Sequence, residues 1–283
     1  LKYGDITDYS NLLNIISDYK PNEIYNLAAQ SHVHVSFEMP FYTSNTDSLG
    51  FLNILDIVKF LKLDSKIYQA STSEMFGKVH EIPQKETTPF NPQSPYGFSK
   101  VFAHNAAKNY RESYNIFASC GILFNHESPR RAENFITRKI SLNVARLKNN
   151  KIKKFSLGNV DAIRDWGYAP EYVYGMWLML QQNKPDDFVL ATNIKHSVKY
   201  FLEKSLQYVG IEYELVGEGF DFQVISKNGN TIVDIDNKYY RPSEVDNLQG
   251  DYSKAKKILK WEPKTNLDQL IKIMIDFDLE NTT

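Results

Sequence analysis

An α/β fold built on a doubly wound parallel sheet, carrying a second and smaller α/β unit, is what this sequence predicts. Three observations predict it. Helical and strand-like segments alternate through the first two-thirds of the chain, small and polar residues follow each strand, and the texture turns aromatic and β-branched from about Asn193. The 283 residues are 42% hydrophobic and 24% charged, a globular composition that excludes disorder, collagen and low-complexity repeats.

Taken in order, Ser10 is expected to cap a first helix with apolar positions Leu12, Leu13, Ile15 and Ile16, closed by Pro21. Residues 24–29 then read as a short buried strand. A longer helix is expected from about Asp47, with Leu49, Leu52, Leu55, Val58 and Leu61 at three-residue steps, followed by a strand at 67–70. Residues 96–110 are helical in pattern and 116–123 form the next strand. Later, Gly217, Gly219, Gly229 and Asn230 punctuate a β-rich stretch, and amphipathic helices follow near 253–259 and 267–277. Residues 1–160 are assigned to the sheet domain and 161–283 mainly to the smaller one. The two are read as interleaved, because no repeat or low-complexity linker separates them.

Charge and cysteine usage narrow the function. With 33 Lys+Arg against 34 Asp+Glu the net charge is -1, so no global field draws nucleic acid or anionic lipid, and neither is expected as a partner. The single cysteine, Cys120, excludes an intramolecular disulfide or a thiolate zinc cage and suits a reducing compartment. No 18-residue apolar run occurs, and the first residues lack the basic-then-apolar layout of a signal peptide, so a cytoplasmic protein is expected.

Ligands of open parallel sheets sit beyond the carboxyl ends of the strands. Those exits here are Ala28-Ala29-Gln30-Ser31-His32, then Ser71-Thr72-Ser73-Glu74, then Phe124-Asn125-His126-Glu127-Ser128-Pro129-Arg130-Arg131. They offer room for close approach, then hydroxyls with a carboxylate, then a dibasic site for an anion. Tyr96 and Lys100 lie four apart, hence on one helix face, where an ammonium lowers the pKa of a phenol from about 10 and makes it a base. Spacing alone does not single them out, since Tyr200/Lys204 and Tyr252/Lys256 share it. Position does: Tyr96 follows the Ser/Thr/Glu strand exit by one loop and Ser94-Pro95 opens its helix.

On these residues the chain resembles the extended short-chain dehydrogenases/reductases, and within them the GDP-mannose 4,6-dehydratase family. The resemblance runs through Gly4-Asp5, Asn26-Leu27-Ala28-Ala29-Gln30-Ser31-His32-Val33, Gln69-Ala70-Ser71-Thr72-Ser73-Glu74, Tyr96 with Lys100, residues 121–131, Arg164-Asp165-Trp166-Gly167 and Tyr240-Arg241-Pro242-Ser243-Glu244-Val245, essentially the whole chain. Ser73 before Glu74 is the discriminating position, because the related dTDP-glucose dehydratases carry Asp there. The resemblance implies a Rossmann-like sheet, NADP as cofactor, GDP-mannose as substrate, a homo-oligomer (dimer or tetramer), and a first step toward GDP-fucose and other GDP-deoxyhexoses. It also implies an internal redox cycle. Tyr96 takes the C4 hydroxyl proton as hydride leaves C4 for NADP, Lys100 tunes the phenol and holds the nicotinamide ribose, and Thr72 hydrogen-bonds the C4 oxygen. Glu74 removes the C5 proton and helps the C6 hydroxyl leave as water, and hydride returns to C6.

Carried over residue by residue, the resemblance assigns Asp5 and Ile6 to the adenine, and Leu27, Ala28, Ala29, Gln30 and Ser31 to the cofactor lining. Tyr42, His126 and Arg131 also touch NADP. Ser73, Asn125, Lys139, Arg164, Arg241 and Glu244 fall to the sugar nucleotide. Guanidinium forks suit a pyrophosphate, although a lone arginine in a loop is more often a surface ion pair. Other features read as structural. His32 and His34 are taken as two imidazoles on one side of an extended loop segment with no further ligands, so no metal is expected. Cys120 reads as a small core residue, Trp177 with Leu178, Met179 and Leu180 as helix core, and the basic run 148–154 as a solvated helix end.

One departure from the family is large. No Gly-x-Gly-x-x-Gly or looser glycine run opens a helix, and Gly4-Asp5 matches the end of the family's third strand. The sheet is therefore expected to be truncated at its N-terminal side, by about two βαβ units of roughly 30 residues, with the strand near 24–28 left as an edge open to aggregation or to completion by another chain. Ala132 stands where the family usually has Gly. Two alternatives stay open: another nucleotide-sugar epimerase or reductase, which would keep Tyr96 and Lys100 without needing Glu74, and a non-catalytic remnant that binds a nucleotide sugar.

Overall fold

The computed structural model describes residues 1–240, 245 and 247–282. In chain order the elements are α1 (Tyr9–Tyr19), β1 (Glu23–Asn26), α2 (Val33–Glu38), α3 (Pro40–Ser44), a π-helical turn (Asn45–Leu49), α4 (Gly50–Phe60), β2 (Lys66–Thr72), a 3-10 turn (Ser73–Met75), α5 (Pro95–Tyr114), β3 (Ala118–Leu123), β4 (Asn125–Glu127), α6 (Ile136–Lys148), β5 (Phe155–Leu157), β6 (Ile163–Arg164), β7 (Trp166–Tyr168), α7 (Ala169–Leu180), β8 (Asp187–Leu190), β9 (His196–Ser197), α8 (Val198–Tyr208), β10 (Tyr213–Val216), β11 (Gln223–Ser226), β12 (Thr231–Ile235), α9 (Ser253–Leu259) and α10 (Leu267–Asn281). They divide into two compact units: residues 1–124, 173–191 and 250–262 form the first, and 125–172, 192–249 and 263–283 the second.

The first unit is built on an all-parallel sheet in the order β1-β2-β3-β8, with β1 at one edge. β3 is buried at every residue, the continuous apolar run expected of a parallel strand covered on both faces. α4 and α5 supply one cover, packing Phe51, Ile54, Leu55, Val58, Ala103 and Ala107 against Ile67, Ala118 and Cys120. Several sequence expectations are corrected here. Asp8, not Ser10, caps α1, its side chain accepting from the Asn11 amide, and of the predicted apolar stripe only Ile16 is buried. The strand predicted to reach residue 29 ends at Asn26, where the next residues turn outward. Of the predicted three-residue stripe of α4, Leu55 and Val58 are buried; Phe51 and Ile54 complete that face at the spacing a 3.6-residue period requires, and Leu49 lies outside at 49% exposure.

The second unit carries a four-stranded sheet in the order β10-β11-β12-β5, antiparallel except where β5 joins β12. Its core gathers Ile140 and Val144 of α6, Phe201, Leu202 and Leu206 of α8, and Leu270, Ile271, Met274 and Ile275 of α10 against Leu157, Val224 and Val233. Arg138 of α6 and Asp278 of α10 form a buried ion pair inside it. Two short pairs, β4 with β7 and β6 with β9, complete the unit.

Candidate active site

β2 ends at Thr72, whose hydroxyl accepts the Glu74 amide at 3.2 Å and so starts the 3-10 turn that carries Ser73 and Glu74 out of the sheet. Thr72 and Glu74 are half-buried and Ser73 is buried. α5 begins against this turn. Ser94 caps it by accepting the Gly97 amide at 3.0 Å, and Pro95 fixes its first residue. A Cβ on Gly97 would lie 2.9 Å from the Glu74 carbonyl oxygen, so glycine lets the turn that presents Tyr96 settle directly on the one that presents Glu74.

Tyr96, Lys100 and His104 follow at four-residue intervals along α5, all buried. Lys100 Nζ donates to the Ala70 carbonyl at 3.1 Å and sits 5.7 Å from the Tyr96 ring centroid. Its burial, at 2% exposure, pulls the lysine pKa down, and the charge of Asp47 works against that fall. One rung further, His104 Nδ1 lies 3.1 Å from Ser71 Oγ. These two contacts fix the position of α5 along β2.

Asp47 comes from the π-helical turn, which is joined to α5 by a hydrogen bond from Ser48 Oγ to the Ser99 carbonyl at 3.1 Å. Its Oδ1 accepts the Gln30 amide at 2.7 Å, while Oδ2 is buried with no hydrogen-bond partner. Burial pushes its pKa up to about 6, with Lys100 and the Gln30 amide pulling the other way. The exit of β1 is tied in as well. Asn26 Nδ2 donates to Gln69 Oε1 at 2.7 Å, and its own Oδ1 accepts the Ala28 amide at 3.3 Å. Beyond it Leu27, Ala28 and Ser31 are exposed, and Ala29 and Gln30 half-buried. Small exposed residues, an orphaned buried acceptor and a buried ammonium fit the ribose and backbone of a dinucleotide. Tyr42 is exposed, Asp5 accepts the Thr7 amide and hydroxyl at 2.8 and 2.7 Å, and the Ile6 side chain is spent in the core.

Behind α5 lies a buried group that sequence reading did not find. His104, Cys120 and Asp187 place one ligand atom each within 4.8 Å of one another, the spacing of a metal site. Asp187, however, is held by Arg111, whose Nη1 and Nη2 donate to its two oxygens at 3.1 and 2.9 Å. The charge of Asp187 is thus already met by a guanidinium. Burial also raises the Cys120 thiol and lowers the His104 imidazole.

The second unit places the remaining candidates. Asn125 and His126 lie on β4, His126 stacking on Tyr172 at 5.0 Å. Arg131 has Nε 3.4 Å from Glu127 and its guanidinium 3.6 Å from the Phe135 ring centroid. Lys139 Nζ is 3.1 Å from the Tyr239 centroid, and burial lowers its pKa. Arg164 is buried, its Nη1 donating to the Ile163 and Val245 carbonyls at 2.9 and 2.7 Å, so it is neither a surface ion pair nor a wholly free fork. Arg241 and Glu244 lie outside the described residues.

Two structural readings are corrected. His32 and His34 do not lie on an extended segment: His32 caps α2, accepting the Val35 amide, and His34 on the helix pairs with Glu38 at 3.5 Å. Trp177 is 45% exposed and stacks on Tyr174, leaving Met179 and Leu180 as the core face of α7. Sequence reasoning also missed Asp47, which it took for the opening of a helix. No helix among the described residues is long and apolar enough to cross a membrane.

The sequence profile of a family described as GDP-mannose 4,6 dehydratase matches residues 1–274. The chain is 53% identical to the GDP-mannose 4,6 dehydratase of Homo sapiens over 285 residues, covering 99% of this chain and 76% of that protein. With the GDP-mannose 4,6-dehydratase of Vibrio cholerae serotype O1 it shares 50% identity, covering 99% and 79%. Among solved structures, UDP-glucose 4-epimerase with UDP-glucose from Thermotoga maritima is similar in fold, with TM-score 0.83 at 20% identity over 98% of this chain and 84% of that one.

Proposed function

The chain belongs to the GDP-mannose 4,6-dehydratase family, and from that premise we propose that Thr72, Glu74, Tyr96 and Lys100 convert GDP-D-mannose to GDP-4-dehydro-6-deoxy-D-mannose plus water. The chain is thus an enzyme, a lyase acting on a sugar nucleotide. One observation carries the assignment of residues. Lys100 is buried on the Tyr96 face of α5 and pinned to Ala70, two residues before Thr72, while Gly97 packs on Glu74. Base, tuning ammonium, strand hydroxyl and second acid/base group therefore come from adjoining turns.

The chemistry follows from the residue types. Tyr96, as phenolate, accepts the C4 hydroxyl proton, and Lys100 stabilises that phenolate. Thr72 hydrogen-bonds the C4 oxygen. The C4 ketone acidifies the C5 proton, which Glu74 removes and passes to the C6 hydroxyl as it departs as water. Tyr96 then returns its proton to C5, closing the balance at the loss of one water. A bound nicotinamide would supply the acceptor for the C4 hydride and its return to C6, so that no cofactor would be consumed.

The cofactor in this reading is NADP. Asp5 and Ile6 approach the adenine, residues 27–31 line the cofactor, Lys100 holds the nicotinamide ribose, and Tyr42, His126 and Arg131 make further contacts. Ser73, Asn125, Lys139, Arg164, Arg241 and Glu244 take the sugar nucleotide. The protein acts in the cytoplasm as a homo-oligomer, at the first step toward GDP-fucose and other GDP-deoxyhexoses.

Product analysis tests the reading. Incubation with GDP-mannose and NADP is expected to yield a 4-keto-6-deoxy sugar nucleotide with no net change in NADPH. Glu74→Gln is expected to lower turnover by ~10²- to 10⁴-fold and to stall after oxidation at C4. A 4-epimer, or stoichiometric use of NADPH, would assign the chain to an epimerase or a reductase instead, and full turnover by Glu74→Gln would remove that residue from the mechanism.

A further inference from the structure

We propose that Asp47 is a binding carboxylate of this reaction centre, its buried second oxygen accepting a hydrogen bond from a ribose hydroxyl of the dinucleotide beside Lys100. The inference rests on the dehydratase reading and extends it to a residue that neither motif nor spacing marks.

Three observations converge on it. The backbone at Asn45–Leu49 is π-helical, a departure that recurs at functional sites and here turns an acidic side chain inward from a helical run. Next is the oxygen accounting. Asp47 is 1% exposed, with Oδ1 taken by the Gln30 amide and Oδ2 left without a donor. A buried carboxylate oxygen with no donor is costly, and the cost disappears if a ligand brings the missing hydrogen. Finally, the charge acting on Asp47 is the ammonium of Lys100, which spends one of its three hydrogens on Ala70.

A free acceptor near a free donor selects the ligand group. A phosphate or carboxylate would be repelled by Asp47 and a second ammonium by Lys100, whereas a hydroxyl both donates and accepts. The diol of a ribose offers two of them. Asp47 also touches the cofactor side of the unit directly, since its other oxygen holds the Gln30 amide in the loop that follows β1. It thus ties that loop and the ammonium to one sugar.

Calorimetric titration of the full chain with NADP, and separately with adenosine 2′,5′-bisphosphate, tests the role. Asp47→Asn keeps an acceptor for Gln30 but puts a donor where the ribose hydroxyl needs an acceptor. It is expected to weaken NADP about 10- to 100-fold while leaving the bisphosphate, which lacks the nicotinamide ribose, unchanged. Carbon-13 NMR of the wild-type carboxyl gives a second readout that requires no variant. Asp47 should titrate near 6 in the free chain and lower with NADP bound, because a donated hydrogen bond favours the charged form. Equal NADP affinity in the variant and an unmoved carboxyl in a wild-type chain that does bind NADP would overturn the role and leave the dehydratase reading intact. Equal losses for both ligands would make Asp47 merely structural. A wild-type chain that binds no NADP would overturn the role of Asp47, while the dehydratase reading stands or falls separately on product analysis.

Discussion

At the scale of single residues, the site is governed by what burial does to charge. Lys100 and Asp47 are each penalised for being ionised, and each moderates the penalty on the other. The pair has a measurable signature in stability. Asp47 holds its proton more tightly folded, with a pKa of about 6, than unfolded, where the ordinary value is 3.8. Protonation therefore favours the fold: the contribution is complete below the unfolded value, is lost as pH rises from about 4 to 6, and is flat above. The loss amounts to roughly 3 kcal/mol. Urea unfolding across this range should show wild type losing stability relative to Asp47→Asn as pH rises. Parallel pH curves for the two proteins would mean that the carboxyl is not perturbed.

At the scale of elements, the second unit depends on how α6 meets α10. Arg138 and Asp278 pair there at 7% and 0% exposure, surrounded by apolar side chains of both helices. Removing one partner strands the other charge, so Asp278→Ala is expected to cost about 3–5 kcal/mol in denaturant unfolding. Replacing both with apolar residues of similar volume should recover most of that loss. The legibility of the elements follows the same physics. β3 and α9 were readable because a nearly continuous apolar run and a short amphipathic period each have one satisfactory solution. Trp177 was misread because its neighbours in the helix are apolar all round, so hydrophobicity could not say which face turns inward. Asp47 was invisible for the opposite reason: an acid in a helical run normally marks the wet face, and only a π-turn, which leaves no compositional trace, turns it in. Thr72, Glu74, Tyr96 and Lys100 could be picked out because strand exits and four-residue spacing are local. The burial of Arg164 depends on the carbonyl of Val245, distant in the chain, and could not be.

At the scale of the whole molecule, the parallel sheet of the first unit has β1 at its margin, only four residues long, with its outer hydrogen-bonding side facing away from β2. Such margins recruit further strands. Sedimentation velocity should therefore show association that grows with concentration and persists in high salt, since backbone pairing is insensitive to screening. A monodisperse profile at every concentration would show that short length alone protects this strand. The anchoring of α5 has a different consequence. The atom that receives Lys100 is a main-chain oxygen, Ala70 O, which no exchange of side chains on β2 can delete. Residues at 72–74 can therefore be varied without re-aiming the ammonium. A substitution at Thr72 or Glu74 therefore reports on the lost hydroxyl or carboxylate itself, because the main-chain anchor of Lys100 stays where it was.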